Sequence, residues 1–110
     1  MPEPVEEYVC NLDTVVHSLP ARDDFNLKIG VSIEGRLAEL HFSNISVDAM
    51  VVGVHKTITI VSYGAESSTN GTHTFLTFPL GGGKAVFYEV NPRDKHENTL
   101  VMTGKCEAKS

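Results

Sequence analysis

The chain has 110 residues and a mass of 12.0 kDa, the size of one domain with no room for a second. Apolar residues make up 41% of it, which favours a packed core over disorder. Nine basic residues against fourteen acidic ones give a formal charge of −5 and a pI near 5.4; the basic residues are scattered, which excludes a phosphate-dominated nucleic-acid interface and disfavours anionic membranes.

Residues 1–5, with two prolines and one glutamate, read as a loose leader ahead of a domain that fills the rest of the chain. The acidic start MPEPVEEY lacks the basic and apolar regions of a signal peptide, so we expect either synthesis without one or a mature form carrying an added Met. A first strand follows over residues 6–12, with Tyr8, Cys10 and Leu12 on one face. Residues 13–19 are ambiguous: Leu12, Val15, Val16 and Leu19 have helical spacing, but Val15 and Val16 are poor helix formers, so we expect one helical turn or a strand end.

Beyond a polar connection, Leu27, Ile29, Val31 and Ile33 alternate with Lys28, Gly30 and Ser32, as in a half-buried strand. Glu34-Gly35-Arg36 turns the chain, and Ala38, Leu40 and Phe42 answer on one face, making this the cleanest hairpin in the sequence. Residues 49–63 are nearly continuous β-former, with Val52, Val54, Ile58 and Ile60 taken in phase. Gly53 and Lys56 predict a bulge or a division near His55-Lys56. The small polar residues 64–71 predict an exposed loop.

Residues 73–91, HTFLTFPLGGGKAVFYEVN, predict a hairpin of two aromatic-rich arms around Gly81-Gly82-Gly83. Pro79 cannot donate a ladder hydrogen bond, so the first arm must be an edge or end there. Phe75 on one face with Leu76 and Phe78 on the other makes that arm apolar on both sides, hence buried twice or lying at an interface. A charged loop over residues 91–98 leads to a last strand with Leu100, Met102 and Cys106 on one face.

These seven or eight short strands predict an all-β fold, an antiparallel two-sheet sandwich of immunoglobulin-like or Greek-key topology. A strict immunoglobulin domain is disfavoured by the absence of tryptophan and by cysteines too far apart for its inter-sheet pair. We expect Cys10 and Cys106 to form a disulfide clipping the first strand to the last. With the sequons at Asn44 and Asn70 as glycosylation sites, this points to a secreted, extracellular protein; reduced cysteines and a native Met1 would instead mean a cytoplasmic one.

No chemistry-bearing motif emerges. Of the five histidines, His17, His41, His55, His73 and His96, no two are spaced H-x-H or H-x₃-H, so no metal site is expected; His41 and His55 fall on outward faces and could meet across a sheet. There is no G-x-S-x-G, and Gly81-Gly82-Gly83 runs into a strand rather than the helix a phosphate loop requires. Glu39 and Glu89 lie within strands, on the solvent side. No cofactor is expected, and the chain reads as no enzyme. No apolar run approaches the ~20 residues that span a bilayer, so no membrane insertion is expected. What remains is a non-catalytic binding module that contacts another protein, or itself as a homodimer, through a sheet edge or loops. The alternative is a lectin-like carbohydrate binder. The candidate contact residues are Tyr63, Asn70, Phe75, Tyr88 and Asn91.

Overall fold

In a computed structural model, the chain forms eight antiparallel strands closed into one barrel, each strand pairing with its neighbours in sequence and the last returning to the first. The structure describes residues 6–19, 21, 23, 25–62, 73–90 and 99–109. The strands are β1 (Glu6–Leu19), β2 (Leu27–Glu34), β3 (Leu37–His41), β4 (Ser46–Val54), β5 (Thr57–Ser62), β6 (His73–Pro79), β7 (Gly82–Val90) and β8 (Thr99–Lys109). The all-β, antiparallel expectation holds, whereas the two-sheet sandwich and its immunoglobulin-like or Greek-key crossovers are replaced by an up-and-down barrel. Period-two alternation is common to both architectures, and what separates them is where the terminal strands pair.

β1 makes the closure. Its first half, through Leu12, pairs with β2, and from Glu7 to Leu19 it also pairs with β8. The ambiguous residues 13–19 are therefore strand, not a helical turn. Irregularities between Leu12 and Thr14 and between Val15 and His17 shift the phase, so Leu12 and Val15 both reach the core while Val16 stands out at 61% exposure. Of the helically spaced set only Leu12 and Val15 face inward; Val16 and Leu19 are exposed. Gly104 on β8 makes room for the first irregularity, because a Cβ there would collide with the backbone carbonyl of Asn11 and with Leu12 Cα.

The inward side chains fill the barrel. Leu12, Ile29, Leu40, Ile60, Leu76, Phe87 and Met102 are fully buried. Tyr8 packs on Phe78 at 4.7 Å between ring centroids, and its hydroxyl accepts a hydrogen bond from the Gly81 amide at 3.2 Å, tying β1 to the β6–β7 turn. Phe42, partly buried, meets Phe87 edge-on at 6.4 Å, and Phe25 and Leu27 pack against the same core. Inward Ser62 is buried but satisfied, donating to the Asp48 carbonyl at 2.9 Å.

Cys10 and Cys106 are direct register partners across the β1–β8 seam and form a disulfide inside the barrel, with Cα atoms 3.9 Å apart at a sequence separation of 96. The run over residues 49–63 divides at His55-Lys56, as the sequence allowed, but Val52 is out of phase with Ile58 and Ile60: Val47, Ala49 and Val51 point inward, Val52 falls outward by alternation, and the ladder shifts between Val51 and Gly53. Pro79 ends β6, where its missing donor costs nothing. The glycine run is only partly a tip, since Gly82 and Gly83 belong to β7. A Cβ on Gly82, at φ 110°, would come within 2.8 Å of the Cys106 carbonyl oxygen. Glu89 shares the inward phase of Ala85 and Phe87, half-buried beside its register partner Thr74, rather than lying on the solvent side.

Two outcomes test this arrangement. Phe87→Ala should lower stability by about 3–5 kcal/mol in a denaturant titration, while Phe75→Ala, on the outside, should cost less than about 1.5 kcal/mol. Because both sulfurs are buried, the disulfide should resist dithiothreitol in native buffer and yield only when denaturant opens the barrel, as thiol titration would read.

Candidate functional site

Closure leaves no unpaired edge among the eight strands, so the sheet-edge contact expected from the sequence has no strand to use, and any contact must involve the outer wall or the loops. The outer wall has two sides of different chemistry. On β1–β4 its outward positions carry Glu7, Lys28, Glu34, Glu39 and Asp48. In contrast, β5 and β6 contain no Asp, Glu, Lys or Arg at all, and the outward charges of β7 and β8, Lys84, Lys105, Glu107 and Lys109, gather at one end.

Register builds the uncharged side in rows. Met50 pairs with Val61, Val61 with Phe75, Phe75 with Tyr88, Tyr88 with Val101 and Val101 with His17, so six outward side chains stand side by side across β4, β5, β6, β7, β8 and β1. A neighbouring row runs Thr59, Thr77, Val86, Thr103 and Thr14, and the Thr59 and Thr77 hydroxyls hydrogen-bond at 3.3 Å. Met50, Phe75 and Tyr88 are 53%, 39% and 38% exposed. Exposed β-branched and aromatic side chains in adjacent rows form one surface rather than scattered apolar residues.

Of the five contact residues expected from the sequence, the structure brings Phe75 and Tyr88 together as direct cross-strand partners. Tyr63, Asn70 and Asn91 lie outside the described residues, as does the second sequon. Asn44 is exposed in the short turn between β3 and β4, where the Phe42 amide bonds the Ile45 carbonyl at 2.8 Å. His41 does lie on the outside of β3, but His55 sits in the β4–β5 turn, away from it. No group of metal-ligating side chains occurs among the described residues.

The charged side holds a polar cluster that sequence reasoning missed. His41 Nε2 is 3.1 Å from Ser32 Oγ, its Nδ1 is 2.9 Å from Ser46 Oγ, and the Glu39 carboxylate lies 3.4 Å from the same Nδ1. The signal was present: a two-residue turn after Glu34 sets Glu34 against Leu37, which puts Ser32 and His41 diagonally on one face. A hydroxyl, an imidazole and a carboxylate in line have the makings of a nucleophile, its base and the group orienting the base. Acyl transfer also needs free N–H donors for the oxyanion, and here β3 is flanked on both sides by hydrogen-bonded strands that occupy its amides. Each serine hydroxyl can donate or accept, so either imidazole tautomer satisfies both bonds and clips β2, β3 and β4 from outside.

An open groove of about 580 Å³ lies along β2–β5, its lining including Ser32, Glu39, Asp48, Leu37, Met50 and Val61. What the chain presents is thus an antiparallel eight-stranded barrel with a filled interior and a two-sided wall. Compared with known proteins, the chain matches no family model, no curated protein and no solved structure.

His41→Ala removes both serine bonds and should cost about 0.5–1.5 kcal/mol in denaturant titration. Amide exchange should quicken at Phe42 in the adjoining turn and stay unchanged in β6 and β7.

Proposed function

We propose that the protein is a non-catalytic binding module that engages a protein partner through the uncharged outer side of its barrel. The single observation carrying this reading is the uncharged row in which exposed Met50, Phe75 and Tyr88 stand with half-buried Val61 and Val101, on an otherwise acidic molecule. Interface centres are depleted of charge and enriched in aromatic residues and Met, and this row has that composition. Threonines at its margin supply hydroxyls suited to a hydrated rim.

The buried disulfide supports an extracellular setting, where such bonds persist. The exposed position of Asn44 suits a glycan, which would project from the β3–β4 turn beside the charged side and leave Phe75 and Tyr88 uncovered. Charged outward residues on β1–β4 do not suit a lipid-facing wall, and the acidic balance does not suit nucleic acid. A second reading, carbohydrate binding, draws on one observation: Phe75 and Tyr88 expose neighbouring rings on which a sugar could stack.

Phe75→Glu and Tyr88→Glu, each checked for an unchanged circular-dichroism spectrum, separate these readings. On the protein-binding reading, partners retained by the wild-type chain and by Glu39→Lys are lost by both glutamate variants, and a glycan array stays blank. Retention by the glutamate variants would defeat it, and saturable glycan signals abolished by Tyr88→Glu would favour the lectin.

A further inference from the structure

We infer that the groove along β2–β5 is a second binding site, whose occupant is an arginine-bearing extended segment of a protein partner. It is independent of what the uncharged side holds.

Two neighbouring rows of outward side chains give the groove its chemistry. One runs Leu37, Met50 and Val61 across β3, β4 and β5. The next, two residues along each strand, sets Glu39 directly against Asp48 across β3 and β4. Leu37 and Met50 are 68% and 53% exposed, a facing pair of large apolar side chains left to solvent. Glu34, the register partner of Leu37, adds a third carboxylate at the β2 end. Among the described residues, no Lys or Arg forms an ion pair with Glu34, Glu39 or Asp48; the Glu39 contact is to His41. Arg36, in the adjoining turn, is not part of the groove's lining.

An apolar row about 7 Å from a carboxylate pair matches one kind of side chain. A long cationic residue lays its methylenes on apolar surface and holds its charged head beyond them. Seated here, the stem covers Leu37 and Met50 and the head reaches Glu39 and Asp48. Two carboxylates side by side favour a guanidinium over an ammonium, because its planar fork can donate to both at once. Cross-strand partners have Cβ atoms about 5 Å apart, within the span of that fork. An anionic occupant is repelled by three carboxylates on a chain of net charge −5. A free small cation fits less well, because an open groove leaves much of it in water, whereas small-ligand sites enclose most of their ligand. A chain segment gains further contacts on either side, and a single extended segment can follow the curve of a barrel wall.

Titration of the full ¹⁵N-labelled chain with acetyl-Ser-Arg-Ser-Arg-Ser-amide, followed by amide chemical shifts, tests this. Saturable shifts should cluster at residues 37–39 and 48–50, with a dissociation constant on the order of 0.1–1 mM, as suits exposed ion pairs over a small apolar contact. The citrulline version of the peptide, similar in shape but uncharged, should bind roughly tenfold more weakly, and 0.5 M NaCl should weaken the arginine peptide. Glu39→Gln combined with Asp48→Asn should cost roughly tenfold in affinity, and Leu37→Ser roughly threefold. The double substitution relieves a facing pair of like charges, so its denaturation midpoint should not fall. Glu107→Gln, a change of net charge on β8, should leave binding unaltered. The absence of saturable shifts, shifts spread over the whole barrel, equal binding of the citrulline peptide or undiminished affinity in the double variant overturns the site. Argininamide binding as tightly as the peptide would put a small cation in the groove and overturn the segment.

Discussion

Everything in this molecule hangs on the seam between β1 and β8, where the chain's two ends are brought into one ladder and the sheet becomes a barrel. Three local features hold it there. Cys10 and Cys106 meet as register partners inside the barrel, and a bond closing so long a loop removes much of the unfolded chain's freedom, worth about 4–5 kcal/mol on the chain-entropy account. Gly104 lets the β1 bulge settle against β8 where any side chain would strike backbone. Tyr8 reaches over to Phe78 and the Gly81 amide, tying the seam to the far wall. Barrel closure is non-local, and its entropic cost is met only when all the strands are in place.

Closure also dictates what the surface can do. An open sheet offers its edges to partners, whereas a barrel has none and must present side chains instead. With the inside taken by the core, each strand has only its alternate residues to give to the outside, and neighbouring strands combine them into rows. The charged residues of β1–β4 therefore collect on one side, and the Thr, Val and aromatic residues of β5–β8 on the other. A contiguous apolar patch is an aggregation hazard unless something covers it. Its flanking threonines and the molecule's net negative charge limit that hazard. The His41 clip belongs to the opposite side, where it braces three strands with bonds that either tautomer satisfies.

Much of this was legible in the residues themselves. The alternation of Leu27, Ile29, Val31 and Ile33, the turn at Gly35-Arg36 and the inward set Leu100, Met102 and Cys106 identify strands, faces and one hairpin register, because period two is a property of the local backbone. The pairing of the cysteines was also within reach, as the only intramolecular choice. Phase failed around the bulges: Val52 lies outward beside inward Val51, out of step with Ile58 and Ile60 beyond the shift in the ladder, and residues 13–19 combine a core-facing Val15 with exposed Val16 and Leu19 across two irregularities. Which strands become neighbours was beyond local pattern. Only the tertiary structure decided that the ends pair within one sheet to make a barrel rather than a sandwich, that Glu89 faces inward, and that Phe75, Tyr88, Val61 and Val101 share a row. The sequence determines side-chain alternation residue by residue, but adjacency across strands is set by register and closure, which exist only once the whole chain has packed.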